Sequence, residues 1–216
     1  MPRLLGERIQ LREYQADDLE AICQWVNDEA TTRLLSTAYW PPQTLVDTEE
    51  FLQRMLQSSH NSFNFVIADR ESGRYLGQLD MFTVDWRLRC GKLGMVIAGA
   101  ENRGRGLGTE ALLLLEKHVF LTLGLERLEL EVRMDNAAAR RCYERAGFRL
   151  EGVKRHAFFA NGAFCDVGIM SILREEYGRS RGSVQMHILH HPLFFGFRRF
   201  EGWRFFGLKA ASGRQY

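Results

Sequence analysis

Asn102-Arg103-Gly104-Arg105-Gly106-Leu107-Gly108-Thr109-Glu110-Ala111 is the stretch on which the fold turns. Three alternating glycines stand between a strand-like segment, Lys92–Ala98, and a long helical segment, Gly106–Leu123, with Gly124 as its stop. Without Cβ atoms the chain can turn tightly and bring successive N–H groups close to an anion. The helix that follows adds its unpaired N–H groups and the positive end of its dipole, and two arginines add charge. A phosphate or pyrophosphate is the natural occupant; a solvated glycine turn is the bland alternative. Gly108 is followed directly by Thr109 with no lysine, which argues against a Walker loop and nucleoside triphosphate hydrolysis. Gly106-x-Gly108-x-x-Ala111, with Glu129 21 residues beyond Gly108, also fits a dinucleotide fingerprint. That fingerprint belongs to the first β-α unit of a parallel sheet, whereas here a largely antiparallel half comes first.

Outward from the loop, Arg127–Met134 alternates as a strand through Leu128, Leu130 and Val132, and Ala137–Ala146 reads as a helix closed by Gly147. Phe148–Lys154 and Cys165–Leu173 are the last strands, separated by the turn Ala160-Asn161-Gly162. Upstream, Arg8–Glu13 is a short strand and Asp17–Asn27 a helix. After Pro41-Pro42 comes a helix over Thr44–Gln57, then strands Phe63–Asp69 and Tyr75–Thr83 joined by Arg70-Glu71-Ser72-Gly73. The pattern predicts an α/β sandwich of about seven strands and about four helices, antiparallel at the front. Its one clear β-α-β-α-β stretch, Lys92 to about Lys154, is where function is sought.

The chain has 216 residues, of which 45% are hydrophobic and 26% charged, enough for one domain with its own core. The longest strictly apolar run, Ala111–Leu115, is far short of the roughly 20 residues of a membrane span. The N-terminus lacks the apolar stretch of a signal peptide. Cys23, Cys90, Cys142 and Cys165 are scattered without a C-x-x-C pair or a close His, which predicts no disulfide framework, no metal site and a reducing cytoplasm. The net charge of +2 divides unevenly: residues 178–216 carry seven Lys/Arg and one Asp/Glu, while the rest is acidic by four charges. Gly178-Arg179-Ser180-Arg181-Gly182-Ser183 interrupts the pattern, so the expected organisation is a domain over residues 1–177 and a basic, aromatic tail over 178–216.

After the Arg127–Met134 strand comes Asn136-Ala137-Ala138-Ala139-Arg140-Arg141-Cys142-Tyr143-Glu144-Arg145-Ala146-Gly147-Phe148. Here the chain resembles the GCN5-related N-acetyltransferase (GNAT) superfamily. Arg103-x-x-Gly106-x-Gly108 matches that family's acetyl-CoA pyrophosphate loop, and Asn136-x-x-Ala139-x-x-x-Tyr143-x-x-x-Gly147-Phe148 matches its second signature, 28 residues on. The resemblance spans roughly residues 7–176. It is nearest the branch of ribosomal-protein N-terminal and spermidine acetyltransferases, supported by Ile9-x-Leu11-Arg12, Trp25-x-Asn27-Asp28 and Phe159-x-Asn161-Gly162-x-x-x-Asp166-x-x-x-Met170.

The resemblance implies a GNAT fold: a mixed, mostly antiparallel sheet in which Lys92–Ala98 splays from Arg127–Met134 in a V. It implies acetyl-CoA as cosubstrate, with no metal. Pantetheine would lie in the V near Met95, Val96 and Ile97, one of whose N–H groups could serve the oxyanion. The diphosphate would sit on the amides of Arg103, Gly104, Arg105, Gly106, Leu107, Gly108 and Thr109. Asn136 and Ala139 would meet the pantetheine arm, and Tyr143 would be the general acid to the departing thiolate. Many relatives in this branch carry Glu where Lys92 stands, so the base is open between a water chain, Asp80, Asp85 and Glu131. An α-amine, of pKa about 8, is neutral more often at pH 7 than an alkylamine nitrogen at about 10.4. A site with no strong base therefore leans toward a protein N-terminal α-amine.

The competing readings are a polyamine, small-amine or aminoglycoside acetyltransferase and a non-catalytic acyl-CoA-binding module. Trp86, Arg87 and Arg89 are candidates for an acceptor site or for simple solubilising charges. Trp25, Asn27, Tyr39 and Trp40 are candidates for substrate-facing positions or core. Cys142 has no His partner for a nucleophilic role, and His187, His190 and His191 resemble a metal tract only loosely. The tail, with Phe194-Phe195-Gly196-Phe197-Arg198-Arg199-Phe200 and Trp203-Arg204-Phe205-Phe206, could meet RNA, a ribosome or a membrane surface, dock on the domain, or close a homodimer rather than leave a monomer.

Overall fold

A computed structural model of the chain describes residues 3–35, 39, 41–57, 61–160 and 162–180. Trp40, Asn161, the histidines at 187, 190 and 191 and the aromatic clusters of the tail lie outside the described residues. Among the described residues, eight strands form one sheet in the order β1-β2-β3-β4-β5-β6-β8-β7. They are β1 (Leu4–Leu5), β2 (Ile9–Arg12), β3 (Phe63–Asp69), β4 (Tyr75–Asp85), β5 (Cys90–Ile97), β6 (Arg127–Arg133), β7 (Arg149–Ala160) and β8 (Ala163–Leu173). The helices are α1 (Leu19–Val26), α2 (Glu29–Thr32), α3 (Leu45–Met55), α4 (Leu107–His118), α5 (Ala137–Ala146) and α6 (Arg174–Ser180).

The sheet has one strand more than the sequence pattern predicts, because the two-residue edge β1 is too short to show a period. The additional helices are the single turn α2 and the terminal α6, which runs across Gly178. The long helical segment divides: α4 passes into a π-helical turn, Val119–Leu123, before Gly124 ends it in a left-handed conformation.

Every adjacent pair is antiparallel except β5 and β6. Side chains alternate across each strand, so β3 serves two cores. Phe65 and Ile67 join α4 (Ala111, Leu112, Leu115) and α5 (Tyr143, Ala146) on one face. Val66 and Ala68 join α1 (Ile22, Trp25, Val26) and α3 (Leu52) on the other. Local chemistry fixes the helix starts. Thr44 caps α3 in a reciprocal box with Asp47, and the Asn136 carboxamide oxygen caps α5 by accepting from the Ala139 N–H at 3.1 Å.

Candidate active site

The parallel pairing of β5 with β6 covers only Cys90↔Arg127, Gly91↔Leu128 and Lys92↔Glu129. Beyond Lys92, β5 stays paired with β4 through Ile97↔Gly77, and β6 stays paired with β8 through Arg133↔Val167. The two strands part, each held by its outer neighbour. In a ladder every second residue turns its N–H and C=O to the same side, so β5 between Leu93 and Ile97 presents backbone donors and acceptors to the gap. A cavity of about 1060 Å³ lies there. Tyr143, Asn136 and Ala139 of the α5 side line it, and so do Asp80, Glu129 and Glu131, whose side chains leave the opposite face. The split therefore opens a passage from one face of the sheet to the other.

Met95 lines the passage on the α5 side and Val96 on the opposite face; Ile97 is not among its lining residues. Tyr143 is 6% exposed, and its ring packs 6.0 Å from that of Phe148. Burial, with Cys142 adjacent, pushes its phenol well above the ordinary value, so the hydroxyl stays protonated. No described residue hydrogen-bonds that hydroxyl. Asn136 uses its carboxamide oxygen as the α5 cap, which leaves its Nδ2 group as the end that can donate to a ligand.

The glycine loop forms the start of α4. Gly104 (φ 71°) and Gly106 (φ 80°) are left-handed, and Gly106 is the N-cap. Gly108 is needed for close approach: a Cβ there would stand 2.9 Å from Met95 Cε and 3.1 Å from Cys142 Sγ. The loop amides are thus pressed between β5 and α5. The Arg103 side chain is turned to α2 instead, donating to Ala30 O at 2.7 Å and Thr31 Oγ1 at 2.8 Å. Arg105 lends its carbonyl to Arg8 at 2.7 Å. Leu107 is buried in the core, and the Thr109 hydroxyl lies 3.4 Å from the Cys142 thiol. Burial raises the Cys142 thiol pKa, so its place is packing between α4 and α5 rather than nucleophilic attack.

On the opposite face Asp80 is the focus. Its carboxylate accepts from Tyr14 Oη at 2.9 and 3.1 Å and from Gln78 Nε2 at 2.9 Å. Gln78 accepts from Tyr75 Oη at 3.0 Å, and Tyr75 accepts from Trp25 Nε1 at 3.0 Å. Burial raises the Asp80 pKa to about 7, against the lowering effect of the Tyr14 and Gln78 hydrogen bonds. Tyr39, beside it, is pushed up to about 12 by burial and by the Asp80 charge.

The other base candidates are differently placed. Glu131 lines the cavity but is ion-paired with Lys154. Asp85 closes the β4–β5 turn, accepting from the Arg87 and Leu88 amides at 2.9 and 2.8 Å. Lys92 is exposed and bonded to Glu129 at 3.0 Å, which raises its pKa and holds it as an ammonium. Trp86, Arg87 and Arg89 sit at that same turn, outside the cavity lining. Asn27 braces Gln43, donating to its carbonyl and accepting from its amide at 3.0 Å each.

Sequence reading passed over Tyr14 and Gln78, which hold Asp80, and Phe82, Arg127, Glu151, Lys154 and Phe158, which line the cavity; Glu129, weighed only as the acidic position of a dinucleotide fingerprint, lines it too. They meet only through the pairing that runs from β2 through β3, β4, β5, β6 and β8 to β7, and no local motif marks them.

Comparison with known proteins identifies the family. A family model described as "Acetyltransferase (GNAT) domain" matches residues 8–149. An uncharacterized N-acetyltransferase p20 of Bacillus licheniformis is 25% identical over 82% of this chain and 99% of its own. The spermidine N(1)-acetyltransferase of Escherichia coli K12 is 26% identical over 78% of this chain and 88% of its own. Among solved structures, spermidine N-acetyltransferase of Vibrio cholerae in complex with CoA and spermine superposes with a TM-score of 0.69. It is 24% identical, covering 80% of this chain and 99% of that one.

Proposed function

Because the chain belongs to the acetyltransferase (GNAT) family and is an acyltransferase by class, we propose that it moves the acetyl group of acetyl-CoA to a primary amine, a protein N-terminal α-amine being the preferred acceptor type, with Asp80 as base. The observation that carries this reading is the passage between β5 and β6, with a donor on one face and a proton acceptor on the other. Acetyl-CoA, a substrate consumed at each turnover, supplies an activated acetyl thioester: a C–N bond to the amine forms and the C–S bond breaks. Of the two protons the ammonium nitrogen loses, one goes to Asp80 and then to solvent and the other to the departing sulfur, so CoA leaves as the thiol.

The chain's own groups fit that substrate. The amides of residues 103–109 at the start of α4 suit a diphosphate, and the closeness of Gly108 to Met95 and Cys142 leaves room for backbone alone. Free N–H groups of β5 near Met95 and Val96 suit an oxyanion, an interaction of about 3–4 kcal/mol when preorganised. Asp80, at a pKa of about 7, accepts the proton of the incoming ammonium near neutral pH. Tyr143 donates a hydrogen bond to the leaving sulfur. Burial keeps that hydroxyl protonated and also makes full release of its proton costly, so it stabilises the thiolate chiefly as a donor.

The test is thiol release at saturating acetyl-CoA, with N-terminal peptides, polyamines and aminoglycosides as acceptors. For whichever is turned over, kcat/KM for the acceptor rises with pH through about 7 as Asp80 ionises. Asp80→Asn removes that limb, and Glu131→Gln leaves it in place. A limb that survives in Asp80→Asn and moves in Glu131→Gln transfers the role to Glu131.

A further inference from the structure

We propose that the acceptor end of the cavity selects an amine with one positive charge on an apolar body and rejects polyamines. This rests on the acetyltransferase reading above and narrows its substrate. Four described carboxylates line the cavity: Asp80, Glu129, Glu131 and Glu151. Three are already neutralised by the chain itself. Glu129 is shared by Lys92 at 3.0 Å and Arg127 at 3.1 Å, Glu151 is held by Arg127 at 2.6 Å, and Glu131 is bonded to Lys154. Asp80 alone has only neutral partners, Tyr14 and Gln78.

An acceptor ammonium entering the cavity thus finds one unclaimed negative charge. A second ammonium on the same molecule would lie among Lys92, Arg127 and Lys154 and would have to displace one of them from its carboxylate. Like-charge juxtaposition in a partly desolvated cavity is what excludes wrong partners. The remaining surface suits hydrocarbon: Phe82 is 57% exposed in the lining, with Leu34, Leu35, Tyr39, Val167 and Phe158 about the same space. Phe158 is covered on one side by the Arg133 guanidinium, 4.6 Å from the ring centroid, and Arg133 is itself paired with Asp135 at 2.6 Å. No further anion is released there.

The experiment compares hexylamine with 1,6-diaminohexane and spermidine, using the full chain, acetyl-CoA and thiol release. The expected result is a kcat/KM for hexylamine at least about tenfold above that for either polyamine. In the double variant Lys92→Gln/Lys154→Gln, Glu129 and Glu131 lose a cation each, and the diamine gains about fivefold relative to hexylamine, the scale of one screened ion pair. Equal or better turnover of the diamine or spermidine by the unaltered chain overturns the selectivity while leaving the acetyltransferase reading intact. An unchanged ratio in the double variant overturns the part assigned to the paired carboxylates. Absence of acetyl-CoA binding by calorimetry, or binding without thiol release for every amine and peptide tried, overturns the enzyme reading and the selectivity with it.

Discussion

At the scale of single residues, burial in the cavity raises two titratable groups with different consequences. Asp80 is raised by burial until its ionisation falls near neutrality, while Tyr143 is raised until its phenol no longer ionises at all in the working range. One can exchange a proton and the other can only lend one. Lys92 is excluded from base chemistry by the carboxylate it holds. The Tyr143 ring and hydroxyl have separable duties, since the ring packs on Phe148 while the residue lines the cavity and no described residue bonds its hydroxyl. Tyr143→Phe is expected to lower kcat about a hundredfold, the lower range for loss of a positioned proton donor, with little change in acetyl-CoA affinity or melting temperature. Steady-state kinetics beside calorimetry would decide it, and an unaltered kcat would remove the hydroxyl from the chemistry.

At the scale of elements, the site depends on where α4 begins. Glu110, in its first turn, accepts from the Glu7 and Arg8 amides at 2.9 Å each and from Arg8 Nε at 2.8 Å, which ties the β1–β2 connection to the helix. These bonds lower its pKa despite its partial burial. Removing the carboxylate leaves two backbone donors with water as their recourse. Glu110→Ala is expected to cost about 2 kcal/mol, read in urea as a lower midpoint at unchanged slope. It should also weaken acetyl-CoA binding, because Arg8 then loses its brace against the Arg105 carbonyl. A stability loss without any change in binding would show the loop to be independent of that tie. The elements themselves were largely legible: Phe63–Asp69 and Ala137–Ala146 stand at the bounds their pattern predicts, because periodicity and caps are local. β7 and β4 run past their expected ends, to Ala160 and Asp85, because the added residues are paired by a neighbouring strand rather than marked by their own pattern.

At the scale of the whole molecule, two cores grip the sheet from opposite faces while β5 and β6 part between them. The gap leaves backbone groups without strand partners, so a ligand that fills it completes the sheet. At a hundredfold excess over its dissociation constant, acetyl-CoA should add about 2.7 kcal/mol to the unfolding free energy. Amide exchange should slow most at residues 93–97 and 130–133. Equal stabilisation with protection elsewhere would place the ligand outside the gap. No helix among the described residues is long and apolar enough to cross a membrane.

The sequence by itself determined the α/β class, the glycine turn leading into α4, the Asn136-to-Phe148 signature and the family they signify, because each is written in contiguous residues whose spacing carries the physics. Tertiary structure alone decided that Asp80 rather than Asp85 faces the cavity, that Arg103 braces α2, and that three of four cavity carboxylates are already paired. Burial and ion pairing there arise between strands far apart in the chain, and a charge's worth depends on what the fold sets beside it.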